Sequence, residues 1–443
     1  MMVSANSSTT PLPNDFVISI RRQLGPDADA FLATYDAPPT NGLRIDPAKI
    51  DLPTLRTLTG WNLEPIPWCP TGTYIDPDTR PGVHPFHAAG LYYLQEPTAM
   101  AVVECADLAP GQTVLDIAAA PGGKATQASS ATGSTGLLLA NEIHPARIKA
   151  LGENLERWGA VNTIITNRTP EQLATIPDVS FQRIIIDAPC SGEGLFRREP
   201  DARREWSPAR VTGSAARQTT ILEAAVQMLA PGGALIYSTC TFNQEENEAV
   251  IAALLAIHSH LRLDHSLRLW PHEVRGEGHT IHRLLDTRPP ESHWIGYAPP
   301  PRTDSAAWNC FAAEMFTTDP VADWGGIVTS RNGRFMLVPL HPLAVSTKPA
   351  VRTGLWLGDE KPGRFEPSHA LALALDPSQV TNRHDLTISE AHHWPAGEPI
   401  AANGTSGWVL ITVLGYPLGW GKRSAGTIKN HYPKGLRRPL PVS

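Results

Sequence analysis

The sequence contains little cysteine, and its five cysteines are neither paired nor clustered. They are odd in number and widely separated, with no Cys-x-x-Cys pair and no His/Cys cluster at zinc spacing. Scattered cysteines are typical of reduced thiols in the cytoplasm rather than of a disulfide framework. We therefore expect a cytoplasmic protein without a metal site. The cysteines are Cys69, Cys105, Cys190, Cys240 and Cys310.

Long apolar runs are missing as well. No stretch approaches the ~18 uninterrupted apolar residues of a membrane span, and the first residues lack the basic and apolar parts of a secretory signal. Hydrophobic residues make up 42% of the 443-residue chain and charged residues 18%, which is ordinary for a globular protein. We expect no membrane partner and, at about 150 residues per domain, two to four domains.

An overall excess of positive charge is also absent, since the net charge is −6. The distribution qualifies this, because residues 399–443 contain six Lys or Arg and no Asp or Glu, which leaves −12 on the remainder. Such asymmetry indicates an anionic partner, and aromatic residues among the cations predict a surface that stacks RNA bases. The residues are Lys422, Arg423, Lys429, Lys434, Arg437 and Arg438, with Trp408, Tyr416, Trp420 and Tyr432.

Neither a G-x-G-x-x-G sequence nor a P-loop occurs, but one glycine-bearing turn separates a predicted strand from a predicted helix. In TVLDIAAAPGGKATQASSA (113–131) the strand ends at Asp116 and the helix begins near Lys124. Small residues there let backbone amides approach a ligand. The next predicted strand ends in Glu142, about twenty residues past Gly122, where an acid accepts the ribose hydroxyls of an adenosine group. A Rossmann-type oxidoreductase shares these features.

Helical segments alternate with apolar strands in this part of the chain, which predicts a mostly parallel, doubly wound α/β sheet. The strand FQRIIID ends in Asp187 with Cys190 just beyond, and the strand ALIYSTCT (234–241) places Cys240 at its end. Since the carboxyl ends of parallel strands meet at one edge, we expect these three side chains to lie together. Cys240 alone would be interpreted as a buried apolar thiol, but the expected neighbours Asp187 and Cys190 favour a catalytic role.

Five arginines follow the site loop, interrupted by acidic residues. They predict a contact with RNA phosphates, and a mixed-charge surface loop is the alternative. The arginines are Arg197, Arg198, Arg203, Arg204 and Arg210.

Several segments, in this order and spacing, closely resemble the Sun-type RNA 5-methylcytosine methyltransferases. They are VLDIAAAPGGK, NE at 141–142, DAPCSGEG and STCTFNQEENEAV. GLYYLQEPTAM (90–100) and RLWPHEVRGEGH (268–279) match on either side. The flanking parts look like the RsmF-like bacterial ribosomal RNA branch of this family, with a PUA-like module at the carboxyl end.

The resemblance implies a doubly wound, Rossmann-like class I methyltransferase sheet that binds S-adenosylmethionine. Cys240 is carried over as the nucleophile, Cys190 as the helper in product release, and Asp187 as the residue at the junction of cofactor and base. The cofactor-binding residues that it implies are Ala118, Ala119, Ala120, Pro121, Gly122, Gly123, Lys124, Glu142, Arg147, Asn167 and Asp187.

Two positions depart from the family pattern. Many relatives carry an Asp after the third strand to hold the adenine, whereas this chain reads TNRTPEQ, so Asn167 or Thr169 must serve. The usual phenylalanine after GEGH is Thr280. Neither change touches the residues that the resemblance assigns to methyl transfer.

The resemblance thus implies a monomeric RNA cytosine carbon-5 methyltransferase that acts on 16S ribosomal RNA through a cysteine–cytosine intermediate. A transfer RNA methyltransferase, a non-catalytic RNA-binding factor and an oxidoreductase are the alternatives. We expect a small α+β RNA-binding domain at 1–108, the methyltransferase domain at 109–290, a middle α+β domain at 291–375 and a PUA-like RNA-binding domain at 376–443.

Overall fold

The computed structural model describes most of the 443-residue chain. Residues 1–15 are dominated by Ser, Thr, Asn and Pro, which predicts disorder, and the Pro-, Arg- and Ser-rich residues 287–307 predict a linker. Both segments fall partly outside the described residues, as does Arg438. No helix in the described part has both the length and the apolar character that crossing a bilayer requires. The described ranges are 10–176, 179–290, 299–346 and 350–437.

The amino-terminal module is a four-stranded antiparallel sheet with short helices around it. Its elements are α1 (Asn14–Leu24), α2 (Ala28–Ala33), β1 (Gly42–Ile45), α3 (Leu52–Thr59), β2 (Glu64–Ile66), β3 (Cys69–Tyr74), α4 (Pro85–Ala88), β4 (Tyr92–Leu94) and α5 (Ala101–Glu104). The strand order is β2-β3-β1-β4. Phe16 and Phe31 pack against aromatic residues of the central module, so the two modules share apolar contacts.

The central module has the predicted doubly wound, mostly parallel sheet. Its elements are β5 (Thr113–Asp116), α6 (Gly123–Thr132), β6 (Leu137–Asn141), α7 (Pro145–Trp158), β7 (Thr163–Thr166), α8 (Pro170–Ala174), β8 (Phe181–Asp187), α9 (Pro200–Glu205), α10 (Pro208–Gln227), β9 (Leu229–Thr239), α11 (Glu248–Ile257), β10 (Leu261–Leu269) and β11 (His279–Asp286). The strands lie in the order β10-β11-β9-β8-β5-β6-β7. β5 to β9 run parallel, and β10 and β11 are antiparallel.

The apolar strands of this sheet are covered on both faces, as expected where helices pack on either side. Every residue of β5, β6 and β7 is buried. The carboxyl ends of β5, β6, β8 and β9 therefore form one rigid edge, and the loops that follow them meet above it.

The third module is a four-stranded antiparallel sheet that also extends the central one. Its elements are α12 (Ala306–Met315), α13 (Pro320–Trp324), β12 (Gly326–Arg331), β13 (Arg334–Pro339), α14 (Leu343–Ser346), β14 (Arg352–Thr353), β15 (Leu355–Lys361), β16 (Arg364–Pro367) and α15 (His369–Ala374). Its own sheet has the order β12-β13-β15-β16, and β14 pairs antiparallel with β7. The pairing of β14 with the central sheet was not predicted from the sequence.

The last module is a five-stranded sheet in the order β17-β19-β20-β21-β18. Its elements are β17 (Arg383–Leu386), α16 (Ile388–His393), β18 (Ile400–Ala401), β19 (Gly407–Val413), β20 (Tyr416–Ser424) and β21 (Thr427–Asn430). The expected stacking surface is wrong for Trp420 and Tyr432, which are 2% and 7% exposed. The Trp420 indole donates to the Ser368 carbonyl oxygen at 2.8 Å, so this ring is part of the core.

Candidate active site

The two predicted cysteines meet at the edge of the central sheet. Cys190 lies in the loop after β8, Cys240 directly follows β9, and their sulfur atoms are 3.4 Å apart. The Gly194 N–H donates to the Cys240 carbonyl oxygen at 2.7 Å, which fastens the loop after β8 to the end of β9. The structure therefore brings together two thiols that are 50 residues apart in sequence.

The two thiols are not equivalent. The hydrogen bond with Cys240 and burial together raise the pKa of the Cys190 thiol well above its usual range. Cys190 is thus kept as an S–H group that donates to the Cys240 sulfur. The Lys124 ammonium also interacts electrostatically with Cys240. The Cys240 sulfur therefore lies beside an S–H group and an ammonium group.

Asp187 ends β8 and is held from several sides. Its Oδ2 lies 2.8 Å from the Lys124 ammonium, and its Oδ1 accepts a hydrogen bond from the Ser238 hydroxyl at 3.3 Å. Burial raises the pKa of this carboxyl, but the Lys124 ammonium and the His279 ring outweigh it and hold the pKa well below its usual range. Asp187 is therefore an ionised acceptor. Lys124, which the family resemblance assigns to cofactor binding, pairs with Asp187, and its contact with the cofactor stays a prediction.

The turn from Ala118 to Lys124 carries the predicted ligand loop, and α6 begins within it at Gly123. Gly122 has φ +120°, and a Cβ added there would lie 3.3 Å from Asn154 Cβ, so only glycine suits this position. The buried Arg44 guanidinium donates to the Gly123 carbonyl oxygen at 3.1 Å. The Arg44 contact thus anchors the loop to the amino-terminal module.

Glu142 lies just beyond the end of β6 and is 1% exposed. Its Oε1 accepts the His144 N–H at 2.8 Å, and its Oε2 is 3.3 Å from the Arg147 guanidinium. Arg147 also donates to the Ala120 carbonyl oxygen, so it connects Glu142 to the loop. The structure places these predicted residues side by side.

The two candidates for the adenine contact have different environments. The Thr169 hydroxyl accepts the Gln172 N–H at 3.3 Å and caps α8, so it is a helix cap. Asn167 donates its side-chain amide to the carbonyl oxygens of Glu142 and Ile143, at 2.6 and 3.0 Å. Asn167 shapes the loop after β6, and its contact with adenine stays a prediction.

Four family models match successive parts of the chain. They are the N-terminal domain of 16S rRNA methyltransferase RsmF (12–97), 16S rRNA methyltransferase RsmB/F (104–286), the RsmF rRNA methyltransferase first C-terminal domain (311–375) and the methyltransferase RsmF PUA domain (381–438). Ribosomal RNA small subunit methyltransferase F of Escherichia coli is 32% identical over 97% of this chain and 97% of its own. The chain belongs to the RsmF family.

Other similar proteins support this family and its fold. The same enzyme of Shigella boydii is also 32% identical, with 97% of each chain covered. A crystal structure of a methyltransferase homolog from Pyrococcus horikoshii has a TM-score of 0.56 at 25% identity and covers 62% of this chain and 95% of its own. NSun6 from the same organism, at TM-score 0.57 and 18% identity over 62% and 99%, shows the fold alone. The predicted class I methyltransferase sheet and PUA-like module are confirmed.

Several residues of this RsmF-family site were missed by sequence reasoning. Glu246 is fully buried, and its Oε2 accepts the Ser191 N–H at 2.8 Å and the Gln218 amide at 2.9 Å. Its Oε1 accepts the Asn243 amide at 2.8 Å, and burial raises the pKa of this carboxyl. Glu246 therefore fixes the Cys190 loop. Its segment, FNQEENEAV, carried the family resemblance but no obvious chemical role.

Three of the five arginines that are expected to contact RNA have partners within the RsmF-family fold, and their contact with RNA stays a prediction. Arg197 and Arg198 both bind the Glu277 carboxylate, at 2.6 and 3.2 Å, and Arg203 donates to the carbonyl oxygens of Phe196 and Tyr35. These contacts join the loop after β8 to the amino-terminal module and to the turn before β11. The exposed ion pairs are Arg204–Asp201 and Arg210–Glu205.

We expect Glu277→Gln to lower the free energy of unfolding by about 3 kcal/mol or more, because it leaves two cations unpaired beside a buried site. Glu277 is 5% exposed and also accepts the Thr40 N–H at 3.0 Å. Urea denaturation followed by circular dichroism measures the change. Glu205→Gln is the matched control, since it removes an exposed pair worth under about 1 kcal/mol. Equal effects of the two substitutions on the free energy of unfolding would show that the ion pairs of Glu277 with Arg197 and Arg198 do not stabilise the fold more than an exposed pair does.

Proposed function

We propose that this protein transfers a methyl group from S-adenosylmethionine to carbon 5 of a cytosine in 16S ribosomal RNA. The observation that carries the proposal is the pair of thiols of Cys190 and Cys240, 3.4 Å apart beside the ionised Asp187. The printed names of the RsmF relatives support ribosomal RNA as the substrate.

The residues at the ends of β5 and β6 suit S-adenosylmethionine. Glu142 Oε2 is buried and accepts no hydrogen bond from the described residues, so it is available to a ribose hydroxyl. Asp116 lies beneath the loop, and burial raises its pKa to about 7 against the Lys124 charge. The loop 118–124 would hold the amino acid part of the cofactor, with Arg147 and Asn167 flanking it. When bound, S-adenosylmethionine supplies a methyl group on a positively charged sulfur.

Cys240 is proposed as the nucleophile because carbon 5 of cytosine attacks poorly unaided. The Cys240 thiolate would form a bond to carbon 6, and the displaced electron pair of the ring would let carbon 5 take the methyl group, while the electrons of the broken methyl–sulfur bond stay on the sulfur of the departing S-adenosylhomocysteine. A base then removes the proton on carbon 5. That C–H electron pair restores the ring double bond, and the carbon–sulfur bond breaks with its electrons returning to Cys240.

Cys190 is proposed to assist this last step. Since its pKa is raised, it keeps an S–H group 3.4 Å from the Cys240 sulfur. As the carbon–sulfur bond breaks, charge builds on that sulfur, and a hydrogen bond from Cys190 stabilises it. This division of roles follows the family resemblance and agrees with the protonation that the geometry favours.

Asp187 is proposed to hold the cytosine and to stabilise its charged form. An ionised carboxylate accepts hydrogen bonds only, so it would accept from the exocyclic amine or from a protonated ring nitrogen. Protonation of the ring makes carbon 6 more electrophilic, and Asp187 would stabilise that charge. The alternative in which Asp187 itself carries the proton is disfavoured by the Lys124 ammonium at 2.8 Å.

We further propose that the protein acts as a cytoplasmic monomer, since one chain supplies every side chain used above. The last module would contact RNA phosphates through the exposed Lys429 and Lys434. Lys422, whose ammonium lies 5.4 Å from the centre of the Trp408 ring, extends this surface. A methylated base must leave its stack, so these contacts would hold the strand around an extruded cytosine.

The function is tested with the full-length protein, labelled S-adenosylmethionine and three substrates: free 16S ribosomal RNA, small ribosomal subunits and transfer RNA. We expect label at carbon 5 of cytosine in 16S ribosomal RNA, located by bisulfite sequencing. Label in transfer RNA alone would overturn the ribosomal assignment. Binding of S-adenosylmethionine without transfer to any of the three would indicate a non-catalytic RNA-binding role.

We expect Glu142→Gln to weaken the binding of S-adenosylmethionine on the order of 10- to 100-fold, because charged acceptors make the stronger hydrogen bonds. Isothermal titration calorimetry measures the affinity without requiring RNA. Glu153→Gln on α7 is the matched control, since Glu153 is half exposed and pairs with Lys149 at 3.8 Å. An unchanged affinity in Glu142→Gln would remove Glu142 from the binding site.

A further inference from the structure

His279 is a buried side chain of the active site to which the mechanism above gives no role. It is the first residue of β11, ends the GEGH segment and is 6% exposed. Its Nε2 lies 3.9 Å from Asp187 Oδ1, on the side of that carboxylate opposite the Lys124 contact at Oδ2. The imidazole therefore faces the group that is proposed to hold the cytosine.

The other ring nitrogen faces the amino-terminal module. His279 Nδ1 is 3.3 Å from the Thr98 hydroxyl, and that hydroxyl donates to Glu96 Oε2 at 2.5 Å. The Glu96 carboxylate also accepts the backbone N–H groups of Ala99 and Glu277, each at 2.8 Å. Glu96 is thus anchored on both modules and acts purely as an acceptor.

This arrangement determines which nitrogen of the ring carries a proton. The Thr98 hydroxyl has one hydrogen, and that hydrogen is given to Glu96. The Thr98 oxygen can then only accept from His279, so Nδ1 must be the protonated nitrogen. Nε2 is left facing Asp187, and the charged groups that face the ring are Glu96, Asp187 and, through Asp187, Lys124.

A close approach of the two modules makes these contacts possible. A Cβ added at Gly276 would lie 2.3 Å from Thr98 Cγ2 and 2.9 Å from Glu96 Oε1, so the first glycine of GEGH leaves room for both side chains. The segments LQEPTAM and GEGH, which the sequence places about 180 residues apart, therefore form one unit around His279.

We propose that His279 is a positioning residue for Asp187: Glu96, acting through Thr98, keeps one imidazole proton on Nδ1, so that a second proton on Nε2 attracts Asp187 Oδ1 across 3.9 Å while Lys124 holds Oδ2 at 2.8 Å. The inference rests on the proposed function, because the orientation of Asp187 matters for holding the cytosine.

Steady-state kinetics of four variants test the role. His279→Ala should lower kcat on the order of 10-fold, because Asp187 loses a charged neighbour at 3.9 Å, while KM for RNA and S-adenosylmethionine stays within about twofold. Thr98→Val should also lower kcat. The double variant His279→Ala/Thr98→Val should have a kcat close to that of His279→Ala alone. His279→Gln supplies an amide donor in place of Nε2, so it should restore most of kcat.

His282→Gln is the matched control, since His282 is buried on the same strand and bonds the Ser266 hydroxyl at 3.0 Å, away from Asp187. It should keep the wild-type kcat. A His279→Ala enzyme with normal kcat would overturn the proposal. A His279→Ala enzyme in which only KM rises would also overturn the proposal.

A second measurement does not depend on methylation. Nitrogen NMR of the full-length protein labelled with ¹⁵N-histidine, with His279→Gln identifying the signal, should show a proton on Nδ1 across the pH range. A neutral ring protonated on Nε2 would overturn the proposal. If wild-type protein methylated none of the RNA substrates, the proposed function would fail, while this spectrum would still decide the tautomer.

Discussion

Cys240→Ala should lower the rate of RNA methylation by at least about 10³-fold, because no uncatalysed route makes carbon 5 of cytosine nucleophilic enough. Cys190 cannot replace it, since the raised pKa of that thiol leaves little thiolate at neutral pH. The measurement is transfer of label from S-adenosylmethionine to 16S ribosomal RNA in a single turnover. S-adenosylmethionine should still bind to the variant with normal affinity.

Cys310→Ala is the matched control, because Cys310 is exposed on α12 and lies outside the site. It should methylate at the wild-type rate. Full activity of Cys240→Ala would eliminate Cys240 as the nucleophile. RNA containing 5-fluorocytidine gives an independent result: wild-type protein should form an adduct that survives denaturation, because a fluorine on carbon 5 cannot leave as a proton.

Cys190→Ala should trap the enzyme on its substrate. Without the S–H group beside Cys240, the bond between sulfur and carbon 6 should break slowly. Multiple-turnover activity is then expected to fall on the order of 100-fold, while the first methyl transfer still occurs. The adduct is measured as protein of reduced mobility on a denaturing gel with 16S ribosomal RNA.

The double variant Cys190→Ala/Cys240→Ala controls for non-specific cross-linking and should form no adduct. Free product at the wild-type rate from Cys190→Ala, with no adduct, would refute the role in release. An adduct that depended on Cys190 and not on Cys240 would exchange the two assignments.

The central sheet and the main site residues were predictable because their signals are local. An apolar run followed by a polar residue identifies the end of a parallel strand, and such ends share one edge of the sheet. That rule alone placed Asp187, Cys190 and Cys240 together, and the family resemblance supplied their roles. Glu142 was found by its distance from the glycine turn.

The partners of these residues were not predictable, because they come from distant segments. Lys124 reads as the first turn of a helix, and only the fold shows that its ammonium meets Asp187, 63 residues later. The arginines after β8 read as an RNA contact, but Glu277 neutralises two of them from about 80 residues away. Trp420 looked like a stacking platform because β20 is rich in glycine and aromatics, yet its ring completes an apolar cluster.

The pairing of β14 with β7 affects how separable the modules are. Arg352 and Thr353 cover the outer edge of β7, and the N–H groups of Val351 and Gly354 bond the carbonyl oxygens on either side, at 2.9 and 2.7 Å. Open edges recruit strands from other molecules. A fragment ending at residue 290 would therefore expose a ready template for self-association. By covering this edge, the third module thus protects the central sheet from pairing with strands of other molecules.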